Sequence, residues 1–291
     1  MSWLAFTVDV EEWFHILDVD TAPPRETWSQ QPARVERNTR VLLDHLDAAR
    51  VRGTFFTLGW IGERYPDLVR EIAQRGHEVA CHGHEHKLAF EIGPEAFRAD
   101  AERAKRTLED VIGASVVGYR AAGFSITPGT PWAFDELAHA GFRYDSSVFP
   151  ARRGHGGFAG GLSVPHRIRG PAGGEVVEFP IPPLHLGPVA VPYAGGGYLR
   201  LFPAPFVRAF AKRSLRCGIP VNIYVHPRDV DADQPRLELS LKRRFRTYVN
   251  VARGERKVKA LLAGFPPDRF RRLADVLGDL ISDAALPLVQ V

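Results

Sequence analysis

The sequence predicts an α/β protein, a (β/α) barrel that is complete or partial, and two observations lead to that class. Polar, helix-like stretches that end in glycine alternate with short runs of β-branched and aromatic residues. Helices that alternate with buried strands are typical of parallel βαβ units. The chain has 291 residues, a length that α/β barrels commonly use for one domain. An open doubly wound sheet is the structural alternative.

The elements follow one another in a regular order. The opening run LAFTVDV predicts the first strand, and five helix–glycine–strand units come after it. A glycine just past a helix supplies the left-handed residue that ends it, and the runs after each glycine are typical of strands. The five units are DHLDAARVRG–TFFTLG, DLVREIAQRG–HEVACHG, AERAKRTLEDVIG–SVVGYR, WAFDELAHAG–FRYDSS and VRAFAKRSLRCG–IPVNIYVH.

Two segments depart from this alternation. Between Ala151 and Tyr198 the chain has 12 Gly and 7 Pro, too many for regular helix, so we expect long irregular loops around a strand EVVEFPI. After Asp231 the pattern is typical of basic amphipathic helices. We therefore predict a barrel over residues 1–231 and a basic helical extension over residues 232–291, packed on the same domain.

Composition narrows the class of protein further. Two cysteines cannot build a disulfide framework, no run approaches 18 apolar residues, and the opening segment lacks the basic leader of a secretory signal. We expect a cytoplasmic protein. From Arg236 to Arg272 there are 12 Lys/Arg against 3 Asp/Glu, which suits an anionic partner or, more simply, solvated helix faces.

Polar side chains that suit catalysis stand at the ends of the predicted strands or just beyond them. In a parallel α/β barrel the carboxyl ends of the strands form one rim, where active sites lie. We therefore expect residues far apart in sequence to meet at one mouth. These residues are Asp9, Glu11, His82, His86, Arg120, Asp145 and His226.

The spacing of four of these residues indicates a metal site. Asp9 and Glu11 are two apart, so on a strand both side chains point the same way. His82 and His86 are four apart, which puts both imidazoles on one face of a helical turn. Two histidines and one carboxylate form a metal set with open positions for water and substrate. An extended chain would add His84 to the same face, and spacing alone leaves that open.

The remaining candidates are ambiguous singly. Arg120 suits a bidentate contact to a carboxylate or an ordinary salt bridge, and Asp145 suits catalysis or the capping of a turn. His226 ends a very apolar strand and faces the rim. A metal with an additional His and Asp suits hydrolysis, because one side chain takes a proton from water and another gives one to the leaving group.

Five motifs in this order resemble those of the polysaccharide deacetylases (NodB-homology, carbohydrate esterase family four). They are FTVDVEEWF, HGHEH, GYRAAGFSI, YDSS and YVHP. The start DVEEWF and the tail DADQPRLELSLKRRFRTYVN are similar to the exosortase-associated exopolysaccharide deacetylase subgroup. The resemblance runs from about Phe6 to Phe265. It implies a distorted (β/α) barrel and metal-dependent removal of N-acetyl groups from amino sugars of a polysaccharide or lipid-linked oligosaccharide, in exopolysaccharide biosynthesis.

The resemblance also implies roles for single residues. Asp9 is expected to be the catalytic base, held in place by Arg120. Glu11, His82 and His86 are expected to bind a divalent metal. Zinc is the expected ion, because ligation by nitrogen and oxygen suits it.

His226 is the expected general acid, tuned by Asp145. Gly123, Phe124 and Tyr144 are the expected substrate-binding residues. Four features depart from the family pattern. Glu11 replaces the usual aspartate, GYRAAGF lacks the proline that usually follows the arginine, and His84 takes a more variable, often aromatic position. An arginine and an aspartate follow YVHP where the subgroup tends to have an aromatic residue and a glutamate.

Three other functions compete with this one. Opening of a small cyclic imide or allantoin-like ring needs the same carbonyl polarisation on the same scaffold. A catalytically silent binding module would be favoured by loss of a metal ligand or of Asp9, and neither is lost. Nucleic-acid binding by the basic tail has no recognition motif to support it. We expect that tail to contact an anionic membrane surface or a lipid-linked glycan instead.

Overall fold

The computed structural model describes residues 3–151, 156–186, 189–280 and 286–291. The strands lie where the short β-branched and aromatic runs predict them, with further strands in the Gly/Pro-rich segment and near the C-terminus. They are β1 Leu4–Val10, β2 Thr54–Thr57, β3 Glu78–Cys81, β4 Gly118–Tyr119, β5 Tyr144–Asp145, β6 His166–Arg169, β7 Glu175–Glu178, β8 Leu184–Leu186, β9 Val189–Val191, β10 Val221–Val225 and β11 Leu288–Gln290.

Helices separate these strands as the glycine pattern predicts. Gly113, for example, ends a long helix with φ of 66° in the left-handed region, where a side chain would be strained. The helices are α1 Val35–Ala48, α2 Gly59–Arg64, α3 Pro66–Gln74, α4 Ala89–Ile112, α5 Trp132–His139, α6 Gly196–Leu201, α7 Ala204–Arg216, α8 Leu241–Tyr248, α9 Gly254–Leu262 and α10 Leu273–Leu280.

Nine of the strands found in the described residues form one sheet in the order β10-β1-β2-β3-β4-β5-β7-β6-β11. Pairing is parallel from β10 to β7, β6 is antiparallel to β7, and β11 is parallel to β6. The predicted α/β class is therefore confirmed. Within those residues the edge strands β10 and β11 are not hydrogen-bonded to each other.

All seven residues of β1 are buried. Alternate side chains of β1 belong to two different apolar clusters of the core. Leu4, Phe6 and Val8 belong to the main apolar cluster between the sheet and the helices. Ala5 belongs to a smaller cluster on the opposite face, to which α10 also contributes apolar side chains. Asp9 has the same parity as Ala5, so β1 carries it on the side of the smaller cluster.

The chain after Asp231 packs on the rest of the protein. Val258 and Leu261 of α9 are buried in the main cluster, and β11 extends the sheet beside β6. α8 is the exception, because none of its residues is buried.

Candidate metal and catalytic site

The carboxyl ends of neighbouring parallel strands bring the expected polar residues to one cavity of about 1010 Å³. Asp9 is near the end of β1, while His82 directly follows β3 and His226 directly follows β10. Because β10, β1, β2 and β3 run parallel side by side, these ends meet at the same edge of the sheet. The cavity wall includes Asp9, Glu11, His82, His86, Gly123, Phe124 and His226.

Three of the expected residues form a metal-binding geometry. Glu11, His82 and His86 each offer a ligand atom, and these atoms lie within 4.8 Å of one another. The Nδ1 of His82 lies 2.8 Å from the carbonyl oxygen of Arg120, which can only accept, so Nδ1 carries the hydrogen. The Nε2 lone pair of His82 is then free for a metal.

The pKa shifts of Glu11 and His82 also favour the protonation states of metal ligands. Burial alone would raise the pKa of Glu11, but Arg228, His86 and His226 around it hold that pKa well below its ordinary value. Burial lowers the pKa of His82 to about 4. An ionised carboxylate and a neutral imidazole are the protonation states that metal binding requires. The donor set therefore fits a divalent ion.

His84 lies outside the triad. The backbone turns at Gly83, which has φ of 76°, so the segment is not the extended chain that would put all three histidines on one face. The His84 ring is buried and its Nε2 lies 3.6 Å from Glu63. The backbone N–H of His84 donates to Asp100 at 2.6 Å, which fixes the loop that carries His82 and His86.

Arg120 holds Asp9, as expected. Its Nη1 donates to Asp9 Oδ1 at 2.7 Å and to Thr7 Oγ1 at 2.8 Å. Its Nε and Nη2 donate to the carbonyl and hydroxyl oxygens of Ser146 at 3.1 and 2.9 Å. The guanidinium is fully buried and lies 4.0 Å from the ring centre of Phe56. The Asp9 carboxylate thus has a fixed orientation beside the triad.

His226 faces both carboxylates of the site. Its Nε2 lies 3.8 Å from Asp9 Oδ2 and 3.5 Å from Glu11 Oε1. Its Nδ1 lies 3.1 Å from Asp229 Oδ2. Burial would raise the pKa of Asp229, but Arg200, whose Nε lies 2.8 Å from Asp229 Oδ1, and His226 hold it well below the ordinary value. An ionised Asp229 therefore orients the His226 ring.

Asp145, the residue expected to tune His226, lies elsewhere. Its carboxylate accepts hydrogen bonds from the backbone N–H and the hydroxyl of Ser147 at 3.1 and 2.6 Å, and it pairs with Glu178. Burial and the neighbouring Asp145 raise the pKa of Glu178 well above its ordinary value. The acid that contacts His226 is Asp229.

Tyr144 also differs from its expected position, whereas Gly123 and Phe124 line the cavity as expected. Tyr144 is fully buried in the smaller apolar cluster, where its hydroxyl donates to Glu78 at 2.8 Å. Tyr144 precedes Asp145 on a two-residue strand, and its ring fills the space beside Gly118. Tyr144 is not part of the cavity wall.

His15 and Arg228 are among the cavity residues that were not predicted from the sequence. His15 is buried with its ring 5.9 Å from that of His86, and its Nδ1 accepts the backbone N–H of Glu12, so Nε2 carries the hydrogen. Arg228 lies 3.1 Å from Glu11 Oε1. His15 follows the paired carboxylates closely in sequence, within EEWFH, and that nearness was the available signal.

Two family models match consecutive parts of the chain. Residues 18–144 match the polysaccharide deacetylase model, and residues 146–277 match a domain of unknown function (DUF3473). The chain is 29% identical over 75 residues to a peptidoglycan-N-acetylglucosamine deacetylase of Bacillus cereus and 38% identical over 72 residues to a chitooligosaccharide deacetylase of Rhizobium leguminosarum bv. trifolii. These matches span 26% and 25% of this chain, and 27% and 30% of the relatives. They support a polysaccharide deacetylase domain.

Solved structures share the fold over nearly the whole chain. A Mycobacterium smegmatis protein assigned to the polysaccharide deacetylases has a TM-score of 0.63 at 20% identity, over 99% of this chain and 93% of that one. Puue allantoinase has a TM-score of 0.62 at 15% identity, over 97% and 90%. A polysaccharide deacetylase structure from Pseudomonas aeruginosa PAO1 has a TM-score of 0.61 at 16% identity, over 97% and 91%. The chain thus shares the fold of these structures.

Proposed function

We propose that the protein is a metal-dependent hydrolase that removes N-acetyl groups from amino sugars of a polysaccharide or lipid-linked oligosaccharide. The observation that carries the proposal is the convergence of the triad Glu11, His82 and His86 with Asp9 and His226 in one cavity. The two curated relatives are named as deacetylases of N-acetylated glycans. A role in exopolysaccharide biosynthesis, membership of the exosortase-associated subgroup and a cytoplasmic location are parts of the same proposal.

The residues divide the reaction between them. A divalent ion held by the triad, zinc by ligand preference, supplies Lewis acidity for the acetamide carbonyl and for water. Asp9 accepts the proton of the attacking water through the carboxylate that Arg120 orients. His226 donates a proton from Nε2 to the departing amine, while Asp229 holds its Nδ1. The backbone at Gly123, on the cavity wall, donates to the developing oxyanion.

Opening of a small cyclic amide is not favoured. The fold likeness to an allantoinase does not separate the two reactions, because deacetylases have the same fold at a similar TM-score. The matched family model and both curated relatives concern deacetylases of glycans.

The division of the chain into a catalytic unit over residues 1–231 and an extension over residues 232–291 also stays a proposal.

Acetate release from N-acetylated oligosaccharides tests the proposed activity. We expect release that a chelator abolishes and added zinc restores. Asp9→Asn should retain bound metal, measured by elemental analysis, and lose turnover. Release by Asp9→Asn at the rate of the unchanged protein would contradict the role of Asp9.

A matched pair of histidine variants tests the metal site. His82→Gln removes a ligand, so it should lose the metal. His84→Gln changes a buried histidine in the same loop outside the triad and should retain it. Equal metal content in both variants would contradict the assigned ligand set.

A further inference from the structure

α8 presents an unusual surface to solvent. Leu241 is 86% exposed and Phe245 is 58% exposed. The two residues are four apart, so on a helix their side chains lie on the same face. Large apolar side chains that project together from a short helix are costly in water unless a partner covers them.

The same helix is strongly cationic. Four of its eight residues are basic and none is acidic: Lys242, Arg243, Arg244 and Arg246. Helices that lie in the interface of a bilayer combine apolar side chains with Lys and Arg in this way, and anionic lipids strengthen their binding. Nucleic acid would complement the cations but would leave Leu241 and Phe245 uncovered.

This surface adjoins the cavity that contains the metal triad. Leu241 and Phe245 line the same cavity as the triad, as does Leu201 at the end of α6, which is 40% exposed. Because Leu241 and Phe245 are both exposed and part of the cavity wall, a partner that covers α8 would lie beside the cavity.

Several contacts fasten α8 to the protein. The guanidinium of Arg200 donates to the carbonyl oxygens of Thr247 and Val249 at 2.7 and 3.3 Å, and that of Arg243 donates to the carbonyl oxygen of Leu17. The Tyr248 hydroxyl accepts the backbone N–H of Leu237 at 2.9 Å. The exposed side chains are thus displayed by a helix of fixed position.

We propose that α8 is a membrane-docking element that lies on an anionic bilayer surface and holds the cavity beside it. No helix of the described residues has the length and apolar character to cross a bilayer. The further step, that the docked enzyme acts on glycans attached to lipids, rests on the proposed deacetylase function. The docking itself does not.

Co-sedimentation of the full chain with vesicles tests the docking. With phosphatidylcholine vesicles that contain phosphatidylglycerol we expect about tenfold stronger partitioning than with phosphatidylcholine alone, declining as salt rises. Leu241→Ser with Phe245→Ser should lower that partitioning at least about fivefold. Equal partitioning to both vesicles, or no effect of the double substitution, would overturn the proposal.

A control and a second variant keep the result specific. Phe206→Ser changes a residue of α7 that is 56% exposed and outside the cavity wall, so it should partition as the unchanged protein does. Lys242→Glu with Arg244→Glu should abolish the preference for phosphatidylglycerol. Thermal melts should match in all variants, because every changed side chain is exposed.

The failures of the two proposals are distinguishable. Vesicle binding without acetate release from any glycan would contradict the deacetylase function and leave docking in place. Acetate release without vesicle binding would contradict docking alone. Retention on DNA in the absence of vesicle binding would show that the basic surface serves a different partner and would overturn the docking proposal.

Discussion

Removal of the Arg120 guanidinium should destabilise the protein as well as inactivate it. In Arg120→Met the Asp9 carboxylate keeps its buried position and loses the donor 2.7 Å away. The two oxygens of Ser146 lose their guanidinium donors in the same step. An unpaired buried charge is the largest of these costs.

The magnitude follows from the depth of the pair. Both side chains are almost completely buried, so breaking the pair from one side should cost about 3–5 kcal/mol of unfolding free energy. At about 2–4 °C per kcal/mol for chains of this order of size, the melting temperature should fall by roughly 6–20 °C. Lysine in Arg120→Lys keeps the positive charge beside Asp9 but cannot reach Asp9 and Ser146 together. Because the charge is kept, Arg120→Lys should lose less stability than Arg120→Met.

Thermal melts and a double-mutant cycle measure this. Asp9→Asn with Arg120→Met removes both charges, so its destabilisation should be smaller than the sum of the two single losses. Acetate release should be lost in all three variants. If the melting temperature of Arg120→Met lay within 2 °C of that of the unchanged protein, the loss of stability would be about 1 kcal/mol or less. That result would refute the idea that breaking this buried ion pair is costly.

Two further predictions concern packing and pH. Gly196→Ala would put its Cβ 1.8 Å from a carboxylate oxygen of Asp229, whereas Gly197→Ala meets only an ordinary contact at 3.9 Å. The first should lower acetate release at least about tenfold by displacing the acid that orients the catalytic histidine, and equal activity of the two variants would contradict this. Burial lowers the pKa of His77 from 6.5 to about 4, so only the unfolded chain is protonated between those values. The contribution of His77 to the free energy of unfolding is therefore fully present above pH 6.5 and should be about 2 kcal/mol smaller at pH 5. Asparagine in His77→Asn can still accept the Gly53 N–H, and urea titrations of this variant should show a smaller fall in unfolding free energy. The same difference in unfolding free energy between pH 7.5 and pH 5 in the variant and the unchanged protein would contradict this.

Some residues of the site could be predicted from the sequence because they stand at the carboxyl ends of parallel strands. Asp9, His82 and His226 come directly at or after strand ends, and parallel strands put such ends at one edge. Their convergence needs no knowledge of side-chain packing. The same rule predicted the position of Arg120.

Asp145 and Tyr144 show where that reasoning ends. They occupy β5, a two-residue strand that pairs with β7 after a Gly/Pro-rich segment of irregular chain. Glu178, the buried partner of Asp145, lies on β7. No periodicity in the sequence predicts that these two side chains meet. Asp229 takes up its contact with His226 through a short turn after β10, in which its carboxylate also accepts the backbone N–H of His226 at 2.8 Å.

The position of β1 between β10 and β2 has a consequence for how the chain is made. Leu4 pairs with Val221, so one long edge of the first strand has no partner until β10 has been synthesised. At 5–20 residues per second, the ribosome needs roughly 10–40 s to deliver it. During that time an apolar strand with an open edge invites pairing with other chains. Since His226 directly follows β10, the nascent protein gains this cavity side chain in the same step that closes the open edge of β1.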